Sequence, residues 1–134
     1  EGITYVCPQT EQSAGFAADS YARLRGLGCA LATSGPGATN LVTAIAASYY
    51  DSIPVLYLTG NVTRARMSGG RVRQLGFQET PIVEIVQRIT KYANTPMSEH
   101  EVIPSLEACI KKMKEGRQGP GLVDIPDDLQ RSEV

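Results

Sequence analysis

Along this chain, short apolar runs rich in β-branched residues alternate with longer stretches whose apolar positions recur three and four apart. The runs are ITYVC (3–7), CALAT (29–33), PVLYLTG (54–60) and GLVDIP (121–126), with TKYANT (90–95) a weaker member, and they read as strands. PVLYL is continuously apolar instead of alternating, so it should be covered on both faces, as strands of a parallel sheet are. The stretches between predict helices. In EQSAGFAADSYARLRG, Ala14, Ala17, Ala18, Tyr21 and Ala22 share a helical spacing, small residues permit close packing, and Gly26 and Gly28 end the segment.

A second helix carries the stripe Leu41, Val42, Ile45, Ala46 and Tyr49, with Pro36 tolerable in its first turn and Pro54 as its stop. Ile82, Val83, Ile85 and Val86 predict a third. A fourth runs to about Glu115 with Ile103, Leu106, Ile110 and Met113 inward, and Lys111, Lys112 and Lys114 suit its negative end. Its start is ambiguous, because Ser98 and Glu101 resemble a capping box that would leave Pro104 inside the helix. Strands alternating with helices define the α/β class: a three-layer, mainly parallel sheet flanked by helices on both faces. The piece from Asn61 to Gln78, with three glycines and four arginines, fits neither pattern and reads as a long loop.

Composition narrows the function. With 134 residues and 42% hydrophobic content the chain builds one domain, spanning 1–134. A formal net charge of -1 leaves little to neutralise nucleic-acid phosphate or to attract an anionic membrane, so small molecules and proteins are the expected partners. No apolar run approaches the roughly 20 residues that span a bilayer, and EGITYV lacks the parts of a signal peptide, which predicts a soluble protein. Three cysteines, Cys7, Cys29 and Cys109, have no CxxC spacing; they read as reduced, mostly buried thiols in a cytoplasmic protein, with no metal site. Glu1 in place of Met, just before strand-like ITYVC, reads as a piece of something longer.

The glycine-rich turn SGPGATN (34–40) lies between a predicted strand and a predicted helix, where α/β proteins often hold phosphate. It is not a P-loop, because Ala38, Thr39 and Asn40 follow Gly37 where Lys and Ser or Thr would be needed. A dinucleotide fingerprint fails too, since Asp51, the nearest acid, precedes Ile53 and Pro54 and does not end a strand. A dinucleotide-binding oxidoreductase is therefore disfavoured.

TEQSAGFAADSYARLRG, TSGPGATNLVTAIAASYYDSIPVLYLTGN, GFQETPIVEIVQRITKY and GRQGPGLVDIPDDLQ, in this order, resemble the thiamine-diphosphate-dependent decarboxylases and carboligases related to acetolactate synthase. The resemblance is to their amino-terminal, pyrimidine-binding domain and covers most of the chain. It implies the thiamine-diphosphate-binding fold, truncated at its amino terminus, whose element with a glycine pair is missing. Glu11 is then the catalytic glutamate. It hydrogen-bonds N1' of the cofactor's aminopyrimidine, so that the 4'-amino group can pass to an imino form and deprotonate the thiazolium carbon, which attacks a 2-oxoacid such as pyruvate. Desolvation beneath a cofactor favours the neutral acid, a helix start favours the carboxylate, and desolvation is expected to win once the site is covered.

The resemblance places Pro36 and Asn40 against the cofactor's ring region instead of a phosphate, with Gln78 near the cofactor. Phe77 would line the substrate side and Lys91 would lie toward the access channel. Magnesium and diphosphate would be held by a GDG motif and an asparagine pair in the diphosphate domain of a partner subunit, which implies a homo-oligomer. Neither element occurs here. Thr10 stands where acetolactate synthases commonly have His, and Asp127 where a lysine is frequent, which should disfavour the same anionic ligands and points to another acceptor. His100 reads as a solvated residue of a polar loop, and the arginines from Arg64 to Arg73 as a mobile, solvated loop before a steering device for an oxoacid. The alternative to an enzyme is a non-catalytic paralogous module kept for subunit association.

Overall fold

A computed structural model describes residues 2–133. Four strands, β1 (Gly28–Ala32), β2 (Val55–Asn61), β3 (Tyr92–Asn94) and β4 (Gly121–Pro126), form one sheet in the order β1-β2-β4-β3, every pair parallel. Helices α1 (Glu11–Arg25), α2 (Pro36–Asn40), α3 (Val42–Asp51) and α4 (Ile82–Val86) pack on one face, and α5 (Glu99–Lys114) covers the other; α6 (Asp127–Gln130) follows β4. The α/β class with helices on both faces is what the alternation of patterns required.

Local chemistry sets the ends of α1. The Thr10 hydroxyl accepts from the Ser13 amide at 3.2 Å, capping the start, and Gly26 closes the helix in the left-handed region at φ 83°, its N–H donating to the Ala22 carbonyl at 2.7 Å. The buried face is Gly15, Ala18, Asp19 and Ala22, while Ala17 and Tyr21, expected inward, are exposed. A Cβ on Gly15 would overlap that of Ala44, so this helix approaches α3 more closely than any larger residue allows.

A buried polar chain explains the rotation of both helices. The Ser48 hydroxyl donates to Asp19 Oδ2 at 2.7 Å and lies 3.0 Å from the Tyr57 hydroxyl, joining α1, α3 and β2 inside the core. Buried polar groups must be paired, so α3 turns Leu41, Ala44, Ile45 and Ser48 inward and leaves Tyr49 at the surface. The single helix expected after Pro36 is two, broken at Leu41, whose amide bonds back to Ala38.

On the opposite face α5 buries Val102, Ser105, Cys109 and Met113, so of the four expected contacts Met113 holds, Leu106 and Ile110 are half-buried and Ile103 is exposed. Asn94 of β3 donates to the Ser105 hydroxyl at 2.9 Å, which turns that polar position inward. The helix begins at Glu99 and runs through Pro104; Ser98 makes no side-chain cap, and Glu101 Oε2 instead accepts from the Met97 amide at 2.8 Å. His100 is therefore in the first turn of a helix, not in a loop, and is exposed.

No strand forms over residues 3–7. That stretch pairs with no described strand, and Ile3, Tyr5 and Val6 are 80% or more exposed; without a neighbour for its backbone groups, strand propensity has nothing to act on. The thiols also differ from expectation: Cys109 is buried, but Cys7 lies on that open stretch and Cys29 on the face of the edge strand β1 that points away from α1.

Candidate active site

All four strands end at one edge of the sheet, and an open parallel sheet offers its binding crevice outside those carboxyl ends. β1 delivers the SGPGATN turn there. Gly35 takes φ 61° and ψ −120°, a conformation that only glycine adopts readily, and Pro36 then opens α2 at the position where its missing N–H matters least. Across the edge, the capped amino terminus of α1 delivers Glu11 to the same turn.

The two segments meet through one hydrogen bond: Asn40 Nδ2 donates to Glu11 Oε2 at 3.1 Å. That bond first, and the residue's own backbone N–H second, hold the Glu11 carboxyl below its ordinary value against a small opposing effect of burial. A Cβ on Gly37 would stand 3.5 Å from Glu11 Oε1 and 2.7 Å from a Thr33 methyl, so the turn is cut back beside the free carboxylate oxygen. The arrangement presents an acid whose one oxygen is engaged and whose other is available.

The loop after β2 comes to the other side of the turn. Gln78 adopts a left-handed backbone at φ 63° and sits against Gly35, where a Cβ would come 2.7 Å from both the Gln78 Cβ and its carbonyl oxygen. Phe77, 84% exposed, faces a cavity of about 580 Å³ at the carboxyl ends of β1, β2 and β4. Leu31, Leu58 and Ile125 form its apolar wall, with Arg66 and Asp127 at its rim. Glu11, Pro36 and Asn40 lie beside this cavity and do not line it; Gly35 and Gln78 join the two places.

Lys91 stands apart. It precedes β3, at the opposite end of the sheet, and its ammonium group donates to the Glu115 and Arg117 carbonyls beyond the end of α5. The structure thus brings Glu11, Pro36, Asn40, Phe77 and Gln78 to one edge and leaves Lys91 at the other. Arg64 is not a free charge either, since its guanidinium donates to Asp128 Oδ2 at 2.6 Å, Glu99 Oε1 at 2.9 Å and the Met97 carbonyl at 2.8 Å. Asp127 is paired with Arg131 at 2.9 Å, which offsets part of the negative charge expected at that rim.

Two acids that sequence reasoning passed over are built into this edge. Asp124 of β4, 1% exposed, accepts from the Thr59 hydroxyl and the Asn61 amide at 2.6 Å each, and from the Thr95 hydroxyl at 3.4 Å; burial nevertheless pushes its carboxyl up to about 6. An acid inside an otherwise apolar strand was the signal, because such a group must be paired. Glu79 binds backbone amides of the loop before it, and nothing in its residue type announced that.

No group of three or more His, Cys, Asp or Glu is assembled for a metal among the described residues. No described helix is long and apolar enough to cross a membrane.

The parallel sheet, with a helix-start carboxyl group held by a glycine turn at its carboxyl edge, defines an α/β domain with a candidate site at that edge. The family model described as "Thiamine pyrophosphate enzyme, N-terminal TPP binding domain" matches residues 1–85, and the chain belongs to that family. It is 43% identical over 133 residues to "Acetolactate synthase 2, chloroplastic" of Nicotiana tabacum, covering 98% of this chain and 19% of that protein. Against "Acetolactate synthase, chloroplastic" of Arabidopsis thaliana it is 45% identical over 130 residues, covering 96% of this chain and 19% of the relative. Against "Acetolactate synthase 1, chloroplastic" of Oryza sativa subsp. japonica the identity is 45% over 122 residues, 90% of this chain and 18% of the relative. The chain spans about a fifth of these relatives' length, and their names lend no support to a plain cytoplasmic expectation.

Proposed function

We propose that residues 1–134 form a single pyrimidine-binding domain of a thiamine-diphosphate-dependent enzyme that decarboxylates a 2-oxoacid, pyruvate foremost, and ligates the product to an acceptor carbonyl. The observation that carries this reading is the Glu11–Asn40 pair on the SGPGATN turn, with Gly37 leaving space at the second carboxylate oxygen.

The donor set fits the aminopyrimidine end of the cofactor. Glu11 would meet a ring nitrogen through Oε1, the oxygen that Asn40 does not engage, and Pro36 and Gln78 would border the ring. When bound, the cofactor supplies the electron sink for decarboxylation. Glu11 holds and yields a proton at Oε1; Asn40 keeps the carboxylate from turning away, and favours its charged form until a covering ligand desolvates it. Phe77 and the apolar wall of the cavity would exclude water from the reacting carbon. Diphosphate and magnesium would be held by the diphosphate domain of a partner subunit in a homo-oligomer.

The test is pyruvate consumption by the full-length protein with thiamine diphosphate and magnesium, in wild type and Glu11→Gln, with products identified by mass spectrometry. Turnover that falls by two or more orders of magnitude in the variant is the expected result. Equal turnover in both proteins would remove Glu11 from the chemistry, and none in either would favour a module kept for subunit association.

A further inference from the structure

Between β2 and α4 the chain has only a single 3-10 turn, Arg64–Arg66, as regular structure, yet its second half is closed on one side chain. Glu79 Oε1 accepts from the Ser68 amide at 2.6 Å and Oε2 from the Leu75 amide at 2.9 Å, while the Glu79 amide donates to the Gly76 carbonyl at 3.1 Å. Ser68 is buried, and its carbonyl accepts from both the Arg71 amide and the Arg71 Nε at 3.2 Å. One carboxylate thus ties both ends of residues 68–75. Bonds of this charge-assisted kind are about twice as strong as neutral ones. Desolvation, the largest single influence on the Glu79 carboxyl, raises it, and the bonds to Leu75 and Ser68 together outweigh that and hold it below its ordinary value.

Immediately before Glu79 come Phe77 and Gln78. Gln78 has the strained left-handed backbone that leans on Gly35, and Phe77 projects to the cavity. A non-glycine residue stays in that conformation only when its surroundings hold it there. The surroundings here are two: the glycine of the SGPGATN turn on one side and the loop closed by Glu79 on the other. A third close approach, where a Cβ on Gly76 would come 2.8 Å from a Val62 methyl, seats the closed loop against the end of β2.

We propose that Glu79 is a positioning residue for the active site: its carboxylate closes the 68–76 loop and thereby fixes the Gln78 backbone and the direction of Phe77 at the cavity. The proposal rests on the enzymatic reading above for the identity of what enters the cavity, and on contacts within this chain for the rest. Glu79 touches neither cofactor nor substrate. Its loss should affect recognition of the oxoacid through Phe77, and should weaken capture of the cofactor less, because Gln78 would border only the ring while the diphosphate would be held by another domain.

The experiment uses the full-length protein with thiamine diphosphate and magnesium, as wild type, Glu79→Gln, Glu79→Ala and Glu11→Gln. Hydrogen exchange by mass spectrometry follows peptides covering 68–76, and kinetics separate KM for pyruvate from kcat and from the dissociation constant of the cofactor. In Glu79→Ala the Ser68 and Leu75 amides should exchange roughly ten-fold faster or more, as expected for loss of charge-assisted bonds. KM for pyruvate should rise several-fold, with a smaller fall in cofactor affinity. Glu79→Gln, which keeps one acceptor oxygen and nearly the same shape, should lie between the two and covers the case in which the alanine variant fails to fold. Wild-type exchange in both Glu79 variants, or a loss of cofactor affinity equal to the rise in KM, would overturn the proposal. Full activity in Glu11→Gln would instead overturn the enzymatic reading, while the exchange result would still decide whether Glu79 closes the loop.

Discussion

Replacing Asp124 by asparagine should make the protein more stable at neutral pH and leave it little changed in mild acid. Asp124 is buried on β4, where desolvation, reinforced by the charge of Glu84, outweighs its donors Thr59, Asn61 and Thr95 and raises its carboxyl from 3.8 to about 6. A raised folded-state value means that the native protein binds this proton more tightly than the unfolded chain does. The stability the proton confers is complete below about pH 3.8, and is lost as pH rises through about 6. At about 1.4 kcal/mol per pH unit between the two values, the loss amounts to roughly 3 kcal/mol. The carboxamide of Asp124→Asn, unable to ionise, would escape it: its oxygen can accept from Asn61, and its NH2 can donate to Thr59, whose hydroxyl is free to turn. Urea unfolding of both proteins from pH 4.5 to 8 isolates the effect in their difference, since the other acids titrate in both. The variant should gain on wild type by roughly 1–3 kcal/mol across that range. A difference that is flat with pH, or a wild type that gains on the variant as pH rises, would show that the three donors outweigh desolvation and refute the argument.

Two further changes address the glycine turn. Asn40→Leu removes the donor that most lowers the Glu11 carboxyl, so a carbon-13 NMR titration should find Glu11 protonating at higher pH than in wild type; an unchanged midpoint would mean that the hydrogen bond does not form in solution. Gly35→Ala meets both an unfavourable φ of 61° and a Cβ 2.7 Å from two Gln78 atoms, and should cost about 2 kcal/mol or more in urea unfolding; a cost under about 0.5 kcal/mol would mean that the two segments separate freely.

The sheet was legible because its signal is chemical and local: β4 has the limits read from GLVDIP, and β1 and β2 lie within one residue of theirs. The existence of α1, α3, α4 and α5 was legible for the same reason. Helix orientation was not, since Ser48 and Ser105 face inward to satisfy partners on other elements, and no periodicity of apolar residues can reveal a hydrogen bond made from a distant strand. Residues 3–7 show the converse limit, a β-rich composition that pairs with none of the described strands. At the candidate site the resemblance named residues, but the relation between them was not legible. That Asn40 holds Glu11, that Gln78 leans on Gly35 and that Lys91 belongs to the other end of the sheet all depend on contacts between segments far apart in sequence.

The strand order β1-β2-β4-β3 also dictates a timetable. β4, the last of the four described strands in chain order, is the one with which β2 and β3 both pair. Until residues 121–126 arrive, β1 and β2 are the only two of the four described strands that can be hydrogen-bonded, β3 lacks its described partner, and the Asp124 carboxylate that gathers Thr59, Asn61 and Thr95 does not yet exist. Such late, long-range closure makes folding slow and leaves apolar strand edges waiting for their neighbour. A nascent chain halted before β4 would therefore carry all of Glu11, the SGPGATN turn and the Glu79 loop, and still lack the strand that joins β2 to β3.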